Sequence, residues 1–69
     1  MDELVFEVTQ EADGGYCAAC LTFDIFTQAD TWEELRANVR EAVQAHFFDG
    51  AIPERVRLRL VRDEVLAPL

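Results

Sequence analysis

The sequence predicts an α+β fold of order β-β-β-α-β, a four-stranded mixed sheet in the order 3-2-1-4 covered on one face by a single helix. Three features predict it. The stretch from Thr31 to Phe48, TWEELRANVREAVQAHFF, places its apolar residues at helical spacing. Arg55 to Arg62, RVRLRLVR, alternates with period two, as a half-buried strand does. Glu11 to Gly15, EADGG, reads as a hairpin turn between two runs that suit strands, with both glycines able to take positive φ.

The first strand is expected over Leu4 to Gln10, with Leu4, Phe6 and Val8 facing the helix and Val5, Glu7 and Thr9 facing away. Tyr16 to Thr22, YCAACLT, is the second. It is small or apolar on both faces, which suits a central position. Phe23 to Ala29, FDIFTQA, is a short third strand at an edge, and Arg55 to Arg62 is the fourth. A helical crossover suits a parallel return beside the first strand, and that connection should be right-handed.

The helix start is marked by Thr31 as N-cap and Glu34 at N3, the two ends of a capping box. Glu33 and Glu34 put negative charge where the first free N–H groups favour it. Trp32, Leu35, Val39, Ala42 and His46 form the covering stripe, widened by Val43 and Phe47. The helix should stop near Phe48, with Gly50 as a left-handed cap and Pro53 beyond it. Arg36 and Arg40, four residues apart, repel slightly unless acids such as Glu33 answer them.

Sixty-nine residues make one domain, residues 1–69. A chain this short buries only about 60% of its unfolded surface, so it gains from self-association, and a homo-oligomer is expected. The predicted edges, strands three and four, are where copies would pair. The composition is 51% hydrophobic, which argues against disorder. No apolar run reaches the roughly 20 residues that span a bilayer. No basic-then-apolar opening marks a signal peptide, so the expected location is cytoplasmic. Net charge is -8, from fourteen acids against six arginines. Such a field repels DNA and attracts basic partners.

Cys17 and Cys20 form a C-x-x-C, but an odd offset in a strand points the two side chains to opposite faces. They read as small buried residues rather than a redox pair or metal ligands. His46 lies in the last helical turn with no serine anywhere in the chain to activate, so it reads as a partly packed helix-end histidine. A two-metal nuclease would need clustered carboxylates, but Glu7 meets arginines on strand four where an acid is wanted. No cofactor or metal is expected. Arg55, Arg57 and Arg59 form a basic stripe at about 6.6–7 Å spacing. With Tyr16 or Phe26 beside it this could serve single-stranded RNA, but pairing with Glu3, Glu7 or a neighbouring subunit suits the acidic total better. The uncovered sheet face carries Val5, Glu7, Phe26, Arg55, Arg57 and Arg59, a mixture of apolar and charged groups that suits an interface.

Gly14-Gly15-Tyr16 with Ala18, then FTQADTWEEL from Phe26 to Leu35, then Asn38, Glu41 and Ala42, resemble the HicB family's N-terminal domain. Ala29 stands where that family usually has glycine, and no proline follows the second strand at Leu21. The resemblance covers roughly residues 4 to 62 and rests on turns and caps. It implies a degenerate ribonuclease H-like fold that binds a small basic toxin. Family members usually add a DNA-binding module, which the resemblance does not extend to here, so the chain looks like a short stand-alone form. The expectation is a non-catalytic, antitoxin-like interaction domain. RNA binding through the arginine stripe, or an uncharacterised hydrolase, is the alternative.

Overall fold

A computed structural model describes residues 2–69. It contains β1 (Glu3–Gln10), β2 (Tyr16–Cys20), β3 (Phe26–Ala29), α1 (Trp32–His46) and β4 (Arg55–Val61). The sheet order is β3-β2-β1-β4, with β1 antiparallel to β2, β2 antiparallel to β3, and β4 parallel to β1. The expected α+β architecture and strand order are therefore the observed ones.

The core follows from the alternation. Leu4, Phe6 and Val8 of β1 and Ala18 of β2 meet Leu35, Val39 and Val43 of α1, and all seven are buried. Ala18 lies opposite Val8, so a small side chain occupies the sheet centre directly beneath the helix. Large side chains at both positions would hold the helix off the sheet.

The turn from Glu11 to Gly15 closes with the Glu11 N–H on the Gly15 carbonyl (2.6 Å) and the Gly14 N–H on the Glu11 carbonyl (3.0 Å). The Asp13 carboxylate accepts from the Gly15 N–H at 3.0 Å. Only Gly14 takes positive φ, at 96°. Gly15 is needed for space instead, since a Cβ there would sit 3.2 Å from the Ala29 carbonyl oxygen.

Several boundaries differ from expectation. β2 stops at Cys20 rather than Thr22, and β3 begins at Phe26 rather than Phe23. Residues between them bend, and the Ile25 N–H bonds the Phe23 carbonyl. Ile25 and Phe23 then turn onto the core instead of alternating along a strand. The capping hydrogen bond from the Glu34 N–H to Thr31 Oγ1 is present at 3.1 Å. The reciprocal bond from Glu34 to the Thr31 N–H is absent among the described residues. At the other end α1 stops at His46, and Phe47 is the cap residue, with its N–H on the Val43 carbonyl. Gly50 does not take the left-handed cap position; its N–H bonds the Phe47 carbonyl at 3.1 Å. His46 is exposed rather than part of the buried stripe, and its ring meets Phe23 and Phe47 edge-on.

The helix backbone lies nearest β3 and β2. This offset leaves the helix-side residues of β4 thinly covered. Val56 and Leu58 are half-buried, and Leu60 is 51% exposed although it pairs with the fully buried Val8.

Candidate functional site

The sheet's uncovered face is assembled row by row from the register. Phe26, Ala19, Glu7 and Arg59 lie across the four strands in one row. Gln28, Cys17, Thr9 and Val61 form the next. Val5 pairs with Arg57, and Glu3 with Arg55. All six residues singled out from the sequence, Val5, Glu7, Phe26, Arg55, Arg57 and Arg59, thus share this face. Phe26 is 61% exposed and Leu21, whose N–H bonds the Val5 carbonyl, is 56% exposed. They give the β3 side of the face an apolar character that the β4 side lacks.

The arginines are mostly engaged. Glu3 accepts from Arg55 Nε at 3.0 Å, and from Arg57 through Nε (3.1 Å) and Nη2 (3.0 Å). The Arg57 contact is a two-pronged guanidinium–carboxylate pair, the geometry that suits this side chain best. Hydrogen bonding to Arg57 holds the Glu3 carboxyl below its ordinary value of 4.5, with the charges of Arg57 and Arg55 adding to the effect and slight burial opposing it. A lowered folded-state carboxylate contributes stability that is present above the unfolded value and is lost as pH falls through the folded one. Glu3→Gln should therefore lower the melting temperature at pH 7, and the difference from the native chain should shrink below about pH 4.5, an effect thermal melts across that range would read. An equal difference at pH 3 and pH 7 would contradict the pairing.

Cys17 and Cys20 point to opposite faces, as their spacing requires. Neither is fully buried, contrary to expectation, because β2 is short and its outer face is open. The Cys17 thiol donates to Glu11 Oε1 at 2.7 Å. That bond, together with slight burial and the charges of Glu11 and Asp13, raises the thiol's pKa and disfavours the thiolate. Glu11→Gln should speed alkylation of Cys17 by iodoacetamide at neutral pH, measured by mass spectrometry against Cys20 as internal reference. An unchanged rate would mean that Glu11 does not govern this thiol.

A second feature lies at the end of the sheet, where the hairpin turn, β3 and the start of α1 meet. A depression of about 410 Å³ is bordered by Glu11, Asp13, Asp30 and Glu34, with Gln28 and Asn38 between them. Among the described residues, none that lines it is cationic. Asn38 Nδ2 donates to the Gln28 carbonyl at 3.0 Å, which ties the helix to the edge strand and occupies an outward-facing group of β3. Glu11 and Gln28 both reach Cys17 on the open face, so the depression and that face form one continuous surface. Among the described residues no three of His, Cys, Asp or Glu stand close enough to hold a metal ion together.

Sequence reasoning did not assemble this depression. Its four acids are scattered over a turn, a loop and a helix, and only the fold brings them together. The helix contributes Glu34 and Asn38. The one available signal was that the FTQADTWEEL motif and the EADGG turn both carry acids.

The chain is 45% identical over 65 residues to a UPF0150 protein of Thermotoga maritima, covering 94% of this chain and 91% of that one. The chain belongs to the UPF0150 family. A second UPF0150 protein, from Archaeoglobus fulgidus, is 44% identical over 54 residues, covering 78% of this chain and 80% of its own. No family model matches the sequence, and no solved structure gives a significant match. Both coverages in the Thermotoga alignment exceed nine-tenths, so UPF0150 membership extends over nearly the whole β-β-β-α-β unit described above. No helix of the described residues is long and apolar enough to cross a membrane.

Proposed function

We propose that this UPF0150 domain is a non-catalytic interaction module, antitoxin-like, that binds a small basic protein. The observation that carries the reading is the depression bordered by four carboxylates, with no cationic side chain lining it among the described residues. In a chain of net charge -8 this concentrates the attraction for a cationic surface at one place. Phe26, 61% exposed on the adjoining sheet face, supplies an aromatic anchor of the kind that dominates protein interfaces. The HicB resemblance, carried by the turn and cap motifs that also frame the depression, agrees with a basic toxin-type partner. RNA binding is the weaker reading, because two of the three stripe arginines already pair with Glu3.

Affinity purification from the source cells tests the proposal. The expected result is a small basic protein retained by the native chain and released by salt. Retention of no basic protein would overturn it, and retention of RNA that survives in an Arg55, Arg57 and Arg59 background but not without them would favour the alternative.

A further inference from the structure

The flank of α1 opposite the acidic depression carries a groove of different character. It has a volume of about 300 Å³ and is lined by Trp32, Arg36, Val39, Arg40, Val56 and Leu58. The cause is the offset of α1 toward β3, which leaves the helix-side face of β4 incompletely covered. Four apolar side chains form its walls, two arginines stand in it, and among the described residues no carboxylate lines it. In a chain with only six cations, two of them face one apolar trough.

The segment after β4 has the complementary chemistry. Asp63 and Glu64 are followed by Val65, Leu66, Ala67, Pro68 and Leu69. Val65 is 89% exposed, Leu66 67% and Leu69 fully exposed. These apolar side chains are largely uncovered among the described residues. The molecule is elongated, with extents of 52 × 21 × 17 Å and a radius of gyration of 13.8 Å. A compact chain of this length would have a radius of about 11 Å.

We propose that the segment Asp63–Leu69 of one copy docks in the α1–β4 groove of a second copy, and that the exchange is reciprocal. Asp63 and Glu64 answer Arg36 and Arg40, which also relieves the repulsion between those arginines. Val65, Leu66 and Leu69 cover Trp32, Val39 and the exposed side of β4. Seven extended residues span about 23 Å, enough to run the length of the trough. Entering its own groove would require the chain to reverse directly after Val61, where of Arg62, Asp63 and Glu64 only Asp63 is a common turn residue and neither glycine nor proline is present. An extended segment reaches a neighbour without reversing. The same two surfaces occur on each copy, so a two-fold axis closes the assembly and leaves neither groove empty. The acidic depression lies on the other flank of the helix, so this assembly and the partner binding proposed above can fail independently.

Sedimentation equilibrium of the whole chain at micromolar concentrations tests the proposal, with emission of Trp32 followed over the same range. Trp32 is the chain's single tryptophan and lines the groove, so docking reports on itself. The native chain should dimerise and its emission should shift to shorter wavelength as concentration rises. Val65→Asp with Leu66→Asp, both on exposed positions, should weaken dimerisation by at least about tenfold while far-ultraviolet circular dichroism stays unchanged. Arg36→Glu with Arg40→Glu should do the same, and adding Asp63→Arg with Glu64→Arg should restore the dimer. A monomer throughout, a dimer untouched by the tail substitutions, or a concentration-independent Trp32 shift that those substitutions abolish would each overturn the proposal, the last by placing the segment in its own groove.

Discussion

Replacing Leu35 with alanine should leave a large part of the protein unfolded at ambient temperature. Leu35 is fully buried, the central apolar residue of the first two turns of α1, and it belongs to the same cluster as Leu4, Phe6 and Val8. Truncating a buried leucine costs about 2–5 kcal/mol, from lost transfer energy and from the cavity left behind. A domain of this length has a total stability of about 3–10 kcal/mol at the usual per-residue value. The loss is therefore comparable with everything that holds the fold. No disulfide stands in reserve, since Cys17 and Cys20 are both free and on opposite faces. Urea unfolding followed by far-ultraviolet circular dichroism would measure the effect. Leu35→Met, which conserves volume, should cost less than about 1.5 kcal/mol. If the alanine variant lost no more than the methionine one, the helix would not be held by this contact.

Neutralising the acidic depression should be the largest functional effect. The combined substitution Glu11→Gln, Asp13→Asn, Asp30→Asn and Glu34→Gln removes four charges but keeps an acceptor oxygen at each position. Asparagine at 13 can still accept from the Gly15 N–H, so the turn is preserved. Thr31 caps the helix through its own hydroxyl, so Glu34 is not needed for the capping bond that is observed. Each exposed charge pair contributes about 0.2–1 kcal/mol, so four together should lower affinity for a basic partner by about fourfold to several hundredfold, with a weaker salt dependence. Isothermal titration with the partner recovered from the affinity purification, in low and physiological salt, would read both. Affinity and salt slope equal to those of the native chain would place the interface elsewhere.

Local features made the elements legible. The hydrophobic period of α1 and β4, the Thr31 cap and the EADGG turn each state a backbone preference that depends on few neighbours. The open face was legible on β1, β3 and β4, where a strand's period of two separates the two faces and the apolar set marks the inner one; on β2, small or apolar on both faces, the structure made that choice. The Phe23–Ile25 bend was not legible, because alternation there fits a strand, and only the packing of buried Ile25 and half-buried Phe23 on the core resolves it. The Gly50 cap was misread because glycine permits positive φ without requiring it. Exposure of Leu60 was invisible in a strand of regular pattern, since it depends on how far the helix sits from β4.

The sequence by itself determined the element order, the sheet order and, outside β2, the side of the sheet on which the strand residues lie, because periodicity, capping and simple connection rules act with few neighbours. Tertiary structure alone decided where the helix sits across the sheet. That placement, set by close packing over the small Ala18 and against Ile25, gathers four distant carboxylates on one flank of α1 and leaves an apolar, arginine-bearing groove on the other. Both surfaces are sums over residues far apart in the chain, so no local pattern could announce them.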